Sequence, residues 1–321
     1  MINQLQKDFT SGSRRALAKL ISTVENDGAL AQEMLDQLYE KVGHAYRIGI
    51  TGPPGAGKST LVDQLTKVLR AEGHTVGIIA VDPTSPFTGG ALLGDRVRMT
   101  DIFLDEGVFI RSMATRGSLG GLSRKAQEAA DVLDAFGKDY IIYETVGVGQ
   151  SELDIVEAAD TVIVTLVPES GDSVQAMKAG LMEIANIFVM NKSDREGAAR
   201  AVRELEAMIH LRPAAEWMPR VLATTASAGK GIGDVRAKIS EHRAFLETGE
   251  RLAGKRKKRL IKKVYELVSR RLKQEFWDEQ AEQLLQENLQ NFQGKKISPY
   301  QLSEQLMTNF KASLREKLRQ Q

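Results

Sequence analysis

The 321-residue sequence contains no cysteine, and this absence removes several kinds of chemistry. Without a thiol the chain can form no disulfide, offer no thiolate ligand to a metal and use no cysteine nucleophile. Long apolar runs are also missing. No stretch stays apolar for the ~20 residues that a membrane helix needs, and residues 1–23 lack the apolar core of a signal peptide. We therefore expect a soluble, cytoplasmic protein without a membrane partner.

An excess of charge of one sign is missing too. The chain has 44 basic and 42 acidic residues, a formal net charge of +2, so no overall field attracts nucleic acid and no nucleic-acid partner is expected. The basic run 255–259 could bind an acidic partner. It has no interleaved aromatic residues for base stacking, however, and we interpret it as a solvated helix start or linker.

The spacing of apolar residues divides the chain into three regions. Residues 1–44 carry two runs at helical spacing and predict a helical hairpin. Residues 45–250 alternate β-rich and helical runs, which predicts an α/β domain with a mostly parallel, doubly wound sheet. Residues 251–321 predict an α-helical arm, whose last helix begins with a capping-box pattern at Ser298–Gln301. The predicted strands are Arg47–Thr51, Val76–Val81, Val108–Arg111, Tyr140–Glu144, Thr161–Val167, Ile187–Asn191 and Arg220–Thr224.

The strongest motif is Gly52–Thr60, which has the P-loop pattern G-x-x-x-x-G-K-[ST] between a predicted strand and a predicted helix. Its glycines let backbone N–H groups surround phosphate oxygens. Lys58 is expected to reach the β- and γ-phosphates and to be catalytic, and Ser59 to offer its hydroxyl to Mg²⁺. The predicted phosphate contacts are Gly55, Ala56, Gly57, Lys58, Ser59 and Thr60.

A second motif, N-K-x-D at residues 191–194, concerns the choice of base. Asp194 can accept from N1–H and the exocyclic amine of guanine, whereas adenine would set an acceptor against this carboxylate. Asn191 and Lys192 complete the predicted base site. The motif alone is weak, but the loop 225–231 after the last strand resembles the loop whose backbone contacts guanine in GTPases. Its predicted contacts are Ser227, Ala228 and Gly229.

Two carboxylates leave strands on the expected metal side. Asp82 follows the second predicted strand, and Glu144 ends the fourth, three residues before Gly147. Such carboxylates can hold Mg²⁺ through water, while the Gly147 N–H can reach the γ-phosphate. Glu144 is therefore predicted to be catalytic as well as metal-binding. The alternative is that each carboxylate only caps the turn after its strand.

The group that activates the attacking water is less directly indicated. Many GTPases have glutamine immediately after this glycine, but Val148 occupies that position and Gln150 lies two residues further on. Gln150 is the candidate. We expect slow intrinsic hydrolysis that a partner could accelerate by ordering the loops, since phosphoryl transfer depends on positioning and charge stabilisation.

The sequence Glu144–Glu152 resembles the class of P-loop GTPases in which glutamate replaces the usual aspartate. That class includes metallocentre assembly proteins. Together with the P-loop, Thr88–Gly90, Leu93–Met99 and Gly171-Asp172, it makes the whole chain similar to the methylmalonyl-CoA mutase-associated GTPase chaperones. That family was formerly labelled an arginine/ornithine transport kinase or ATPase.

The resemblance implies a GTP-hydrolysing chaperone that assists adenosylcobalamin loading and protection of an acyl-CoA mutase. It implies GTP or GDP and Mg²⁺ as ligands, no cobalamin bound tightly by this chain, and a homodimer built through the C-terminal helices. The mutase's adenosyltransferase is a possible further partner. The resemblance also adds Asp95 to the metal carboxylates and places a partner switch in Pro168–Glu183. Its switch residues are Asp172, Gln175 and Lys178. Many relatives have another acidic residue and leucine after the Gly-Asp pair of this segment, whereas this chain has Ser173-Val174.

Two other functions compete with this interpretation. A nickel metallochaperone GTPase shares the P-loop and the glutamate, but needs ligands for its cargo, and the four histidines here lack ligand spacing. A P-loop small-molecule kinase would have no need for the guanine motif. GTP consumption without an acceptor substrate would separate a hydrolase from a kinase.

Overall fold

The computed structural model describes residues 2–26, 28–82, 100–114, 124–145, 151–168, 180–290 and 298–319. The chain divides into two compact units, Met1–Ala253 and Gly254–Gln321. The first contains a parallel β-sheet with helices on both faces. The described residues of the second unit form helices joined by short non-helical connections, with no strand among them.

The structure describes seven strands, numbered β1 to β7 in chain order from β1 at Tyr46–Thr51 to β7 at Arg220–Ala223. They form one sheet in the order β3-β2-β4-β1-β5-β6-β7, and every neighbouring pair is parallel. The central strands β1, β4 and β5 are buried along their whole length, which matches their nearly continuous apolar sequences. The predicted α/β class is confirmed. The strands are β1 Tyr46–Thr51, β2 Val76–Asp82, β3 Val108–Ala114, β4 Tyr140–Glu144, β5 Thr161–Leu166, β6 Ile187–Met190 and β7 Arg220–Ala223.

All seven predicted strands are present, and their ends differ slightly from the predictions. The largest difference is in β3, which continues to Ala114 rather than ending at Arg111. It does so because its last residues pair with β2, as in the pair Ala114 and Asp82. Hydrogen bonding to a neighbour, rather than the strand's own composition, sets this boundary.

The helices of the first unit cover the sheet on two sides. One core lies against α4 (Lys58–Ala71) and α9 (Ile232–Glu247) and contains Leu61, Leu65 and Ile239. The other core includes Leu17 and Leu133 and is covered by helices that include α2 (Arg14–Glu25) and α6 (Arg124–Ala135). The labelled helices are α1 Ile2–Thr10, α2 Arg14–Glu25, α3 Ala29–Leu38, α4 Lys58–Ala71, α5 Thr100–Phe103, α6 Arg124–Ala135, α7 Ser151–Ala158, α8 Ala198–His210 and α9 Ile232–Glu247. A further single-turn helix, Leu181–Ile184, lies between α7 and α8 in the chain.

The N-terminal region differs from the predicted hairpin, because the first predicted helix is two helices. Gly12 adopts φ +85°, in the left-handed region, and ends α1. Ser13 then caps α2 by accepting a hydrogen bond from the Ala16 N–H at 3.3 Å. A glycine and a capping serine thus break a run whose apolar spacing alone looked continuous. The resulting three helices contribute Phe9, Leu20 and other apolar side chains to the core of the sheet.

The second unit consists of the helices α10 Arg251–Phe276, α11 Glu279–Gln290 and α12 Pro299–Arg319, the first of which begins just before the unit boundary. The predicted capping box is confirmed. The Ser298 N–H donates to Oε1 of Gln301 at 3.1 Å, and the Gln301 N–H donates to Oγ of Ser298 at 3.2 Å. The basic run 255–259 lies within α10. Among the described residues, no helix combines the length and the apolar character that a membrane crossing requires.

Candidate nucleotide-binding site

The predicted motifs meet at one edge of the sheet. Because the strands are parallel, the segments that follow them leave from the same edge. The P-loop follows β1 at the centre of the sheet, Glu144 ends the adjacent β4, Asn191 follows β6 and the loop 225–231 follows β7. The fold therefore gathers the phosphate, metal and base motifs, which are far apart in sequence.

Two glycines of the P-loop are required by close contacts as well as by backbone conformation. Gly52 has φ +134°, and a Cβ added there would lie 2.0 Å from the carbonyl oxygen of Thr165 on β5. Gly57 has φ +86°, and its added Cβ would lie 2.3 Å from Nδ2 of Asn191. The loop is thus packed against β5 on one side and the base motif on the other.

Lys58 is the first residue of α4, and its side chain folds back over the P-loop. Its ammonium group donates to the carbonyl oxygens of Gly52 at 2.9 Å and Pro53 at 3.0 Å. The residue is only 7% exposed. The lysine charge therefore lies against the first residues of the loop. Thr60, in the first turn of the same helix, is exposed.

On the metal side, two residues predicted from separate motifs touch. Oγ of Ser59 donates to Oε1 of Glu144 at 2.5 Å, and both residues are buried. Glu144 lies opposite Ile50 in the ladder of β4 and β1 and opposite Ala80 in the ladder of β4 and β2. A hydroxyl beside a carboxylate is an oxygen donor set suited to Mg²⁺. These two residues therefore fit the predicted ion.

The structure describes the other predicted carboxylates only in part. The backbone of Asp82 ends β2 at the same edge of the sheet, but its side chain lies outside the described residues. Asp95 lies outside them altogether. In the described part of the chain, no group of three or more histidine, aspartate and glutamate side chains is placed to hold a metal ion.

Asn191 connects the base motif to the P-loop. Its Nδ2 donates to the Ala56 carbonyl at 2.8 Å. Its Oδ1 accepts from the Thr224 hydroxyl at 3.1 Å and from the Ala226 N–H at 3.0 Å. With 3% of its surface exposed, this amide is a buried junction between the loops that follow β1, β6 and β7.

The rest of the base motif lies nearer the surface. Lys192 has φ +56°, an uncommon backbone conformation for a residue other than glycine, and its ammonium donates to the Gly55 carbonyl at 2.8 Å. Its stem therefore extends toward the P-loop. Asp194 is exposed, so its carboxylate is accessible to a ligand. The predicted contacts Ser227, Ala228 and Gly229 are exposed at the short 3₁₀ helix Ala226–Ala228.

Several side chains at this edge were not predicted. Thr224 orients the Asn191 amide, and the hydroxyl of Thr145 donates to that of Thr51 at 2.8 Å. A threonine at the end of a strand is ordinary, so the sequence offers no signal that separates these residues from others of their type. The remaining predicted site residues lie outside the described residues, and their roles stay predictions: Gly147, Gln150, Asp172, Gln175 and Lys178.

Comparison with known proteins identifies relatives along most of the chain. A family model described as methylmalonyl-CoA mutase-associated GTPase MeaB matches residues 17–281. A Pyrococcus abyssi protein provisionally named a GTPase is 55% identical over 273 residues, covering 84% of each chain. The GTPase ArgK of Escherichia coli is 36% identical over 316 residues, covering 93% of this chain and 95% of its own. The crystal structure of an LAO/AO transport system kinase superposes with a TM-score of 0.71 at 28% identity, covering 97% of each chain.

Proposed function

Because this chain belongs to the MeaB family of methylmalonyl-CoA mutase-associated GTPases, we propose that it is a Mg²⁺-dependent GTPase that serves as a chaperone for an acyl-CoA mutase. Its nucleotide state would control the loading of adenosylcobalamin into the mutase and protect the loaded enzyme. The observation that carries the GTPase part is the meeting of Lys58, the Ser59–Glu144 pair and Asn191 at one edge of the sheet.

Each residue of the proposed phosphate site has a physical role. Backbone N–H groups of Gly55 to Thr60 bind phosphate oxygens at the N-terminus of α4, where the helix adds positive potential. The ammonium of Lys58 can exchange its loop carbonyls for β- and γ-phosphate oxygens, which are stronger acceptors. Ser59 and Glu144 would hold Mg²⁺, with Asp82 and Asp95 as further carboxylates. The bound ion would neutralise charge that develops on the phosphates.

Guanine selection rests on Asp194. Its carboxylate would accept two hydrogen bonds from guanine, and Ser227 to Gly229 would present backbone N–H groups to the guanine carbonyl. Lys192 supports this proposal because its stem already lies toward the P-loop. For hydrolysis, Gln150 is the proposed group that orients water, with the Gly147 N–H on the γ-phosphate. Slow turnover is expected until a partner orders this segment.

The proposed partner is an adenosylcobalamin-dependent acyl-CoA mutase, with its adenosyltransferase as a further candidate. The family description supports the mutase, and Asp172, Gln175 and Lys178 are the proposed switch residues that report the nucleotide state to it. No tight cobalamin site on this chain is proposed. We place the complex in the cytoplasm.

A homodimer through residues 251–321 completes the proposal. It is supported by the apolar face of α10, where Leu260, Val264 and Leu272 are 42%, 50% and 54% exposed in the single chain. Such a stripe is commonly covered by a partner helix. Val264→Glu should therefore give monomers in sedimentation, whereas Leu211→Glu, at an 86% exposed position outside residues 251–321, should leave the dimer intact. An unchanged dimer in the first variant would contradict this interface.

The experiment that tests the function measures GTP turnover with and without a cobalamin-dependent acyl-CoA mutase. The chain alone should hydrolyse GTP slowly without any acceptor substrate, which a kinase would not do. The mutase should raise the rate of GTP turnover. Lys178→Ala should lower this mutase-stimulated rate by about 30-fold or more while leaving basal turnover nearly unchanged. Lys7→Ala, an exposed lysine on α1, is the matched control. A mutase that changes neither turnover nor its own cofactor loading would refute the chaperone role.

A further inference from the structure

A pair of buried hydroxyl groups lies where the strands of the phosphate and metal motifs end. Thr51 is the last residue of β1, and Thr145 is the first residue after β4. The Thr145 hydroxyl donates to Oγ1 of Thr51 at 2.8 Å, and the two residues are 2% and 0% exposed. The Thr145 N–H also donates to the Ile50 carbonyl at 3.1 Å. Thr145 is thus held on β1 by both its backbone and its side chain.

The sequence neighbours of this pair are the groups that the chemistry requires. Thr51 precedes Gly52, whose carbonyl accepts from Lys58. Thr145 follows Glu144, whose carboxylate accepts from Ser59. The hydroxyl contact therefore joins the start of the P-loop to the segment that carries the metal-side carboxylate.

This junction lies at the end of the ladder between β1 and β4, where the Thr145 N–H makes the last backbone contact, with the Ile50 carbonyl. The pairing of β1 with β4 ends at Ile50 and Glu144, and strand ends are where ladder hydrogen bonds open most readily. A hydrogen bond between two buried hydroxyls is protected from water, and removing one hydroxyl strands the other without a partner. The Thr51–Thr145 contact thus continues the junction one residue beyond the ladder.

We propose that Thr145 is a positioning residue, which holds the Glu144 carboxylate against Ser59 through its hydroxyl contact with Thr51. This inference rests on the proposed GTPase function, since it concerns how the Mg²⁺ ligands are held. Thr145 itself touches neither nucleotide nor metal in this proposal. Its effect should appear in the requirement for Mg²⁺ rather than in the recognition of guanine.

The test replaces the hydroxyl while keeping the shape of the side chain. Thr145→Val should raise the Mg²⁺ concentration for half-maximal GTP turnover by about tenfold, the effect of one lost buried hydrogen bond. GDP affinity measured without Mg²⁺ should stay within about twofold, because the base and phosphate contacts are unchanged. Thr145→Ser, which keeps the hydroxyl, should restore the Mg²⁺ requirement of the original protein.

The matched control is Thr66→Val on α4. The Thr66 hydroxyl is also buried but has no hydrogen-bond partner among the described residues. If Thr145→Val and Thr66→Val showed the same Mg²⁺ requirement as the original protein, the hydroxyl pair would be only structural and the inference overturned. If the original protein failed to hydrolyse GTP, the proposed function would fail instead. Adding Thr51→Val to Thr145→Val should cause little further change, since both remove the same contact.

Discussion

Replacing Asn191 with alanine would remove the side chain that joins three loops of the candidate site. The wild-type amide makes one hydrogen bond to the P-loop carbonyl of Ala56 and accepts two others, from Thr224 and from the Ala226 N–H. Asn191 is only 3% exposed, so these hydrogen bonds are made in a buried environment. The substitution would therefore remove a hydrogen-bond partner from the Ala56 carbonyl, the Thr224 hydroxyl and the Ala226 N–H. Each of these groups must then find a new partner or remain unsatisfied.

The magnitude follows from the number of contacts. At a net value of about 1 kcal/mol for each hydrogen bond, the loss of three should lower the free energy of unfolding by about 3 kcal/mol. The contacts to Ala56 and Ala226 also hold the phosphate loop and the base loop in one arrangement. If restoring this loop arrangement on binding costs about 2 kcal/mol, GDP affinity should fall by roughly 30-fold.

Asn186 provides a matched control at the other end of the same strand. It precedes β6, and its Oδ1 accepts from the Val162 N–H at 2.8 Å, far along the strand from the motif loops. Asn186→Ala should reduce stability but leave GDP affinity within about twofold. The assays are chemical denaturation and titration with a fluorescent guanine nucleotide. GDP affinity in Asn191→Ala within about threefold of the original, under conditions where the protein is folded, would refute this reasoning.

Three further perturbations address the base, the P-loop and a buried lysine. Asp194→Asn should shift preference from GTP toward xanthosine triphosphate in a competition assay, since the amide can donate to the second xanthine carbonyl; an unchanged preference would remove Asp194 from the base site. Gly52→Ala should cost about 3 kcal/mol or more in denaturation, because its Cβ would meet the Thr165 carbonyl, whereas Gly73→Ala, with φ +89° and open space, should cost only about 1 kcal/mol. Burial, reinforced by two nearby guanidinium groups, lowers the pKa of Lys138 to about 8 from 10.5. The folded state thus loses this proton first, and the free energy of unfolding should gain about 1 kcal/mol from this group between about pH 7 and about pH 9. Lys138→Met should lack that gain, and an identical pH dependence in the variant would contradict it.

The sequence by itself determined the features that consecutive residues encode. The P-loop, the N-K-x-D motif and the capping box at Ser298 and Gln301 are patterns of local conformation and hydrogen bonding, so each is visible within a few residues. The buried parallel strands are visible as short apolar runs for the same reason. The order of these motifs and strands along the chain was enough to predict a P-loop α/β fold.

The break between α1 and α2 shows where a local pattern was outweighed. Apolar spacing predicted one continuous helix, but Gly12 and the capping Ser13 end one helix and start another. The length of β3 was likewise decided by its partner strand rather than by its own residues. Such boundaries depend on contacts that periodicity does not contain.

Only the tertiary structure decided which of the predicted residues touch. Ser59 and Glu144 are 85 positions apart, and Asn191 lies 135 positions from Ala56, yet each pair is within hydrogen-bonding distance. The Thr51–Thr145 contact carried no sequence signal at all. Motif residues are specified by local backbone geometry, whereas these distances depend on strand order and register, which are set by the packing of distant segments into one sheet.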